Sequence, residues 1–267
     1  MHLTTKYESR SPIVFRSAAW ASLVLAVVCL HSAAVAQEES VKPGINKSFD
    51  DPDVDRFIKL FEVESREVYR YRDAIIAVLG IEPGMHVADV GAGTGLFTRL
   101  MAPQVGPEGR VYAVDMAGKV LDHIETWNQE AGIENVVSVQ CDQHSTNLAP
   151  ESVDRIFVCD TYHHFEYPHA TLASIHRALR PDGRLMIVDF ERVQGVSKPF
   201  LMGHVRCGKG TVTDEVRDAG FSLVAEIPLM KEQYVLVFEK RPSQDPATEA
   251  EAASNDPPKE PEVRSGG

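Results

Sequence analysis

The stretch with the clearest chemical meaning is a glycine-rich turn that follows an acidic residue. Residues 87–95 read Val-Ala-Asp-Val-Gly-Ala-Gly-Thr-Gly, so a short apolar run leads through Asp89 into three alternating glycines. Without Cβ atoms the backbone can turn tightly there and approach a ligand closely. The Asp89 carboxylate would repel a diphosphate, but it would balance a sulfonium and an α-amino group. The residues predicted to hold such a cationic cofactor are Asp89, Gly91, Ala92, Gly93, Thr94 and Gly95.

Acidic residues also stand at the ends of the next two predicted strands. Asp115 ends the second strand, where a carboxylate can accept two hydrogen bonds from ribose hydroxyls, and Met116 beside it can lie against an adenine face. Asp142 follows the third strand and can accept a hydrogen bond from an adenine amino group, with Gln143 adding polar contacts. Taken alone, Asp142 fits a solvated loop equally well. As a set, the acidic residues predict a nucleoside-binding edge along strands one to three.

The loop after the fourth predicted strand carries the groups expected at the reacting centre. Residues 159–165 read Cys-Asp-Thr-Tyr-His-His-Phe. We predict that Asp160 lines the site, and that a catalytic role falls to one of its neighbours, since a histidine can act as a general base. The candidate catalytic residues are Asp160, Tyr162, His163 and His164. The competing explanation for His164 is packing at the strand end.

No metal site is predicted from the sequence. Asp160, His163, Asp189 and His204 all carry metal-binding atoms, and the last two could also frame an acceptor pocket. Their spacing nevertheless matches no short metal-binding motif.

The elements that must position these residues alternate regularly between strand and helix. Apolar residues at helical spacing predict an N-terminal helical extension over residues 53–79, with residues such as Arg66 available to cover the site. Alternation of this kind indicates an α/β fold with a parallel sheet and helices on both faces. The predicted strands span residues 86–90, 110–115, 136–141, 154–160, 184–190, 222–227 and 234–239. The later helices are predicted over residues 96–101, 119–131, 169–179 and 213–219.

This pattern resembles the class I S-adenosylmethionine (SAM)-dependent methyltransferases, and within them the branch containing the ubiquinone/menaquinone C-methyltransferases. The resemblance rests on Asp-Val-Gly-Ala-Gly-Thr-Gly at 89–95, on Asp115 and Asp142, and on the runs at 148–154 and 179–185. It implies a Rossmann-like, doubly wound seven-stranded sheet of order 3-2-1-4-5-7-6 with the last strand antiparallel. It also implies that SAM is the cofactor, held by the residues at 89–95, 115 and 142, and that the acceptor is a small molecule that the sequence does not name.

Two other functions compete with methyl transfer. A nicotinamide-dependent oxidoreductase usually shows Gly-x-Gly-x-x-Gly, but Leu96 stands where its last glycine belongs. An exported protein of the same fold could instead bind a ligand without catalysis. Nucleic acid is a poor substrate, because the chain has a net charge of −12 and lacks the Asn/Asp-Pro-Pro-Tyr/Phe run of base amino methyltransferases.

The two ends of the chain differ in composition from the core. Residues 1–36 read as an export signal, with basic residues, an apolar run and Ala-Val-Ala before a predicted cleavage at Gln37. If uncleaved, this segment would anchor the protein to a membrane; otherwise the protein is expected to be periplasmic or secreted. Residues 37–53 are predicted to be a linker, residues 54–240 the methyltransferase domain, and residues 241–267 a disordered acidic tail.

Overall fold

The computed structural model describes residues 39–241, and these form one seven-stranded sheet with helices on both faces. The strand order is β3-β2-β1-β4-β5-β7-β6. Strands β1 to β5 run parallel, whereas β7 runs antiparallel to both β5 and β6. The predicted fold class is therefore confirmed. No helix within residues 39–241 is long and apolar enough to cross a membrane.

The bounds of the elements follow the chain in order. The helices are α1 (Val54–Phe61), α2 (Glu67–Arg70), α3 (Arg72–Leu79), α4 (Leu96–Val105), α5 (Gly118–Ala131), α6 (Pro168–Ala178), α7 (Pro199–His204) and α8 (Lys209–Asp218). The strands are β1 (His86–Val90), β2 (Arg110–Asp115), β3 (Val136–Gln140), β4 (Val153–Cys159), β5 (Leu179–Phe190), β6 (Phe221–Glu226) and β7 (Gln233–Lys240). Short 3-10 helices cover Lys47–Phe49 and Tyr162–His164.

The central strands are apolar on both faces, and each face packs on its own helices. In β1, Ala88 and Val90 face a core shared with α6 and α8, whereas Val87 faces a core shared with α3 and α4. Because side chains alternate along a strand, a sheet buried on both sides needs this nearly continuous apolar run. Strand order reverses between β1 and β4, and ligands of such sheets bind at the carboxyl ends of the strands there.

Three segments differ from the sequence-based expectation. The predicted turn at 181–183 lies inside β5 as a bulge, because Val153 pairs with Leu179 while Arg155 already pairs with Arg184. Helix α7 was not predicted. The described part of the predicted linker, residues 39–53, packs on the domain, where the backbone N–H of Val41 donates to the carbonyl of Glu166 at 2.9 Å. The predicted export signal and the predicted tail after Arg241 lie outside the described residues.

Candidate active site

The glycine turn leaves β1 next to the end of β2. The backbone N–H groups of Gly91 and Ala92 both donate to the carbonyl of Val114, at 2.8 and 3.1 Å. Gly91, Gly93 and Gly95 all have positive φ, at 77°, 53° and 76°. This backbone conformation favours glycine, so the alternating glycines are explained by the shape of the turn.

The three glycines meet different surroundings. A Cβ atom on Gly91 would lie 2.3 Å from Cγ2 of Thr161, and one on Gly95 would lie 2.9 Å from Cγ1 of Ile124. On Gly93 the nearest atom would be the Gly91 carbonyl oxygen, at 3.9 Å. Gly91 and Gly95 therefore serve internal packing, whereas Gly93 borders open space in which a ligand can approach the backbone.

Asp89 lies beneath this turn. Its side chain is only 3% exposed, and one carboxylate oxygen accepts a hydrogen bond of 2.7 Å from the Thr98 hydroxyl. Burial raises the pKa of Asp89 to about 6, although the Thr98 hydrogen bond opposes the shift. The carboxylate is therefore enclosed beneath the turn and does not face open solvent.

Asp115 joins the end of β2 to the glycine turn. Its two carboxylate oxygens accept backbone hydrogen bonds from Gly93, at 3.0 Å, and from Ala117, at 2.9 Å. Burial raises the pKa of Asp115, and these backbone hydrogen bonds oppose the shift. Each oxygen keeps a further lone pair, so the carboxylate can still accept from a ligand. Met116, next in the chain, is half-buried.

The predicted adenine contacts lie farther along the same edge. One carboxylate oxygen of Asp142 accepts from the backbone N–H groups of His144 and Ser145, at 2.7 and 2.9 Å. Asp142 is exposed, and these two hydrogen bonds hold its own loop. The backbone carbonyl of Gln143 accepts from the Thr171 hydroxyl at 3.1 Å. Thr94 is buried, and its carbonyl accepts from the Arg99 guanidinium at 2.7 Å.

Asp160 stands at the carboxyl end of β4 in an unusual conformation. Its φ is 47°, a value that a non-glycine residue adopts only when its surroundings hold it there. One carboxylate oxygen forms an ion pair with Arg66, while the other is buried and makes no well-aligned hydrogen bond, although the Gln233 side chain lies near the carboxylate. Burial raises the pKa of Asp160 to about 6, against the lowering effect of Arg66. An unsatisfied buried acceptor at the strand end is suited to a ligand donor.

The N-terminal helices cover this edge of the sheet at two points. Arg66, just before α2, reaches Asp160. Glu62, just after α1, accepts two hydrogen bonds of 2.7 and 2.8 Å from Arg99 on α4. The prediction that residues such as Arg66 cover the site is thus supported by the ion pair between Arg66 and Asp160. The Glu62–Arg99 pair was missed, because sequence spacing gives no sign of a contact between separate helices.

The adjacent histidines have separate surroundings. His163 is buried, its Nδ1 lies 2.7 Å from Oδ1 of Asp189, and its Nε2 lies 3.2 Å from Nε2 of His204. The Nδ1 atom of His164 is buried with no hydrogen-bond partner. Burial lowers the pKa of His164 to about 2 and also lowers that of His204. Asp189 therefore fixes His163 so that Nε2 is the atom left for chemistry.

Tyr162 is held in the core, which favours a packing role over the predicted catalytic one. The residue is fully buried in the core beneath α8. Its hydroxyl donates to a carboxylate oxygen of Glu215 at 2.7 Å, and the Arg206 guanidinium lies over its ring at 5.3 Å. A tyrosine so held cannot reach an acceptor at the strand ends.

The variant Tyr162→Phe tests this assignment. It removes one buried hydrogen bond, whereas Glu215 keeps its ion pair with Arg206, so we expect a loss of about 1 kcal/mol in the free energy of unfolding. Activity per folded molecule should stay unchanged. Urea denaturation and turnover of the two proteins provide the measurement. A large loss of turnover in a folded variant would return Tyr162 to catalysis.

Comparison with known proteins shows similarity to methyltransferases. Residues 88–187 match the model of a methyltransferase domain family. The chain is 29% identical over 113 residues to a ubiquinone/menaquinone biosynthesis C-methyltransferase UbiE from Bordetella avium, covering 42% of this chain and 44% of that protein. The corresponding Shewanella protein is 30% identical over 135 residues, with 50% and 54% covered. The chain thus spans about half the length of the curated relatives it matches.

A solved structure agrees with the topology. A SAM-dependent methyltransferase from Aquifex aeolicus superposes with a TM-score of 0.62 at 23% identity, over 70% of this chain and 98% of that one. The likeness extends beyond residues 88–187 and therefore includes most of the sheet. Residues 88–187 are thus similar to a methyltransferase domain, and the chain has the fold of a class I SAM-dependent methyltransferase.

Proposed function

We propose that this protein transfers a methyl group from SAM to a small-molecule acceptor. The observation that carries the proposal is the junction between the glycine turn and the end of β2, where Gly93 borders open space and also donates to Asp115. A nucleoside and an amino-acid group can approach that backbone while the Asp115 carboxylate accepts from ribose hydroxyls. In this proposal Gly93 and Asp115 contact SAM at the junction, and Asp89, Gly91, Ala92, Thr94 and Gly95 shape the turn that holds it. Met116, Asp142 and Gln143 are the proposed adenine contacts.

Methyl transfer requires little of the protein beyond positioning the two reactants and excluding water. SAM supplies a methyl group on a good leaving group when it is bound. The chain must hold the acceptor in line with that methyl group and keep water out. Asp160, with its unpartnered oxygen, lines the acceptor side in this proposal, and the N-terminal helices exclude solvent. His163 lies at the same edge, with its Nε2 facing Nε2 of His204.

Calorimetric titration separates this function from its competitors. We expect SAM and its demethylated product, S-adenosylhomocysteine, to bind at one site per chain, and NAD to show no binding. Turnover is followed with labelled methyl groups in extracts of small molecules and, separately, with nucleic acid. Tight NAD binding without SAM binding would overturn the proposal. Binding of SAM without transfer to any acceptor would favour the ligand-binding alternative.

The raised pKa of Asp89 predicts a pH dependence of SAM binding. Its pKa of about 6 means that the carboxylate becomes protonated as the pH falls through 6, and a protonated group no longer balances a cation. SAM affinity should therefore fall below pH 6, and fall more than that of S-adenosylhomocysteine, which lacks the sulfonium charge. Calorimetry between pH 5 and 8 measures the difference.

Because burial gives Asp160 a similar pKa, two variants distinguish the carboxylates. Asp89→Asn should remove the pH dependence, since the amide cannot titrate while its oxygen can still accept from Thr98. Asp160→Asn should leave the dependence in place. The opposite pattern would assign the effect to Asp160.

We also propose that residues 1–36 direct export and that residues 54–240 form the catalytic domain. Composition supports both boundaries: basic and apolar residues with a small-residue cleavage site at one end, and few large apolar residues after Arg241 at the other. N-terminal sequencing of the mature protein should begin at Gln37. A mature protein that keeps residues 1–36 would leave a membrane anchor as the explanation.

A further inference from the structure

The fold gathers three histidines at the carboxyl edge of the sheet. His163 and His164 lie in the 3-10 helix after β4, and His204 ends α7. One ring nitrogen from each lies within 4.8 Å of the corresponding nitrogens of the other two. The sequence offers His163 and His204 as possible ligands but does not predict the cluster, because His204 lies 40 positions after His164 and no motif spacing links them.

We propose that His163, His164 and His204 bind a divalent transition-metal ion, with zinc as the best match. Two nitrogens bound to one tetrahedral zinc ion at about 2.0–2.1 Å lie about 3.3 Å apart. The Nε2 atoms of His163 and His204 are 3.2 Å apart. Closing the set around an ion needs the third nitrogen, from His164, to move by at most about 1.5 Å.

The surroundings of His163 are those of an oriented metal ligand. Metal-bound histidines commonly donate their second N–H to a carboxylate, which fixes the ring and makes the ligand nitrogen more basic. Asp189 does this here: it is 1% exposed, accepts from His163 Nδ1 at 2.7 Å, and accepts from the His163 backbone at 2.9 Å. Both contacts hold Nε2 toward His204.

A simple hydrogen bond between His163 and His204 explains less of the geometry. Such a bond accounts for the 3.2 Å separation if one Nε2 carries a proton. It gives no role to Nδ1 of His164, which is buried without a partner, and an unsatisfied buried polar atom carries a free-energy cost. A shared ion would use a lone pair from each ring.

The positive and negative groups around the cluster also bear on a cation. Lys42 donates its ammonium protons to the carbonyls of Gly203 and His204, at 2.7 and 2.5 Å, and its positive charge near the cluster opposes a bound cation. The Asp189 carboxylate, in contact with His163, favours one. Three neutral imidazoles and one nearby carboxylate form a donor set that suits zinc, copper, nickel or cobalt better than magnesium or calcium. Three protein ligands would also leave a fourth position for water.

The test uses the full chain, purified without a polyhistidine tag, and titrates it with Co²⁺ and Zn²⁺. We expect one ion per chain and the intense visible bands of four-coordinate cobalt, which Zn²⁺ should displace. His204→Ala is the sharpest variant, because His204 is exposed at the end of a helix and its loss leaves the core intact. His164→Ala removes the third, half-buried ligand. Both should weaken binding and abolish the bands.

Two further variants complete the design. Asp189→Asn should lower the affinity about 10- to 100-fold, as loss of a carboxylate behind a histidine ligand does. His123→Ala, which removes a half-buried histidine of α5 outside the cluster, should bind as the unaltered protein does. Equal binding by His204→Ala and the unaltered protein would overturn the site. So would a thiolate-to-cobalt charge-transfer band, which would place the ion on a cysteine.

The readout is independent of methyl transfer. A protein that binds cobalt at the histidines but never binds SAM would keep the metal site and refute the proposed function. A protein that binds SAM and shows no saturable metal binding would do the reverse.

Discussion

Replacing Gly93 with alanine is expected to weaken SAM binding about 5- to 150-fold. This corresponds to about 1–3 kcal/mol, the usual cost of placing an extra methyl group where a ligand must pack. The added Cβ meets no protein atom closer than 3.9 Å, so the protein itself has room for it. The space that it takes is the open space beside the turn, in which we place the cofactor. The N–H of Gly93 still donates to Asp115.

The fold should tolerate this change at a known cost. The φ of Gly93 is 53°, and alanine in that left-handed conformation loses about 1–2 kcal/mol. Gly84→Ala is the matched control, because its φ is 86° and its Cβ would meet nothing within 4 Å, yet it lies before β1 and away from the turn. Both variants should lose similar stability on denaturation, and only Gly93→Ala should lose SAM affinity on calorimetry.

Gly91→Ala provides the contrast. Its Cβ would lie 2.3 Å from Thr161, so the turn itself must shift and the protein should unfold more readily than the Gly93→Ala variant. If Gly93→Ala bound SAM as tightly as the unaltered protein, the turn would not be the cofactor site. The distinction between the two glycines could not be drawn from their spacing, which treats all three alike.

Most of the fold followed from local patterns. The first two strands were predicted with their observed ends, His86–Val90 and Arg110–Asp115, because apolar runs bounded by turn residues mark buried parallel strands. The sheet order did not come from periodicity; it came from the resemblance carried by the residues at 89–95. Helix α7 was missed, since its six residues are too short a stretch to show a helical period.

The sequence predicted that the site lies at the ends of the strands, but it did not predict the side-chain contacts within the site. Topology places Asp89, Asp115 and Asp160 on one edge, which the order of the strands already requires. The direction of a side chain depends on partners far along the chain. The Tyr162 side chain points into the core, where it contacts Glu215 and Arg206 of a later segment. The residues next to Tyr162 in the sequence do not indicate this direction.

The N-terminal segment shows the same limit. Residues 39–53 are polar enough to be taken as a linker, but Asn46 donates to the carbonyl of His164 at 3.0 Å and Ser40 to the carboxylate of Glu166 at 2.7 Å. Polar hydrogen bonds of this kind leave no periodic trace in a sequence. Phe49, whose ring lies 5.0 Å from that of His164, was the available sign that the segment packs.

Removing the positive charge of Arg66 is the second change with a large expected effect. In Arg66→Met the carboxylate of Asp160, only 14% exposed, loses its ion-pair partner while its other oxygen already lacks one. Breaking a buried pair costs about 3–5 kcal/mol. Because the Arg66 side chain is itself 24% exposed, we expect a smaller loss, about 2 kcal/mol in the free energy of unfolding at pH 8.

Two further variants and the pH identify the cause of that loss. Arg70→Met removes a half-exposed arginine whose distance to Glu67 is 3.5 Å, and it should change the stability by no more than about 0.5 kcal/mol. Adding Asp160→Asn to Arg66→Met should restore most of the loss, because a neutral amide needs no counter-charge. The pKa of Asp160, raised to about 6, determines how this loss of stability changes with pH. Below pH 6 the carboxyl group is protonated in the folded protein and needs no counter-charge. The loss in Arg66→Met should therefore be smaller at pH 5 and larger above pH 6. Urea denaturation of the four proteins at both pH values measures this, and an equal deficit at pH 5 and pH 8 would mean that Arg66 stabilises the cover by packing and not by its charge.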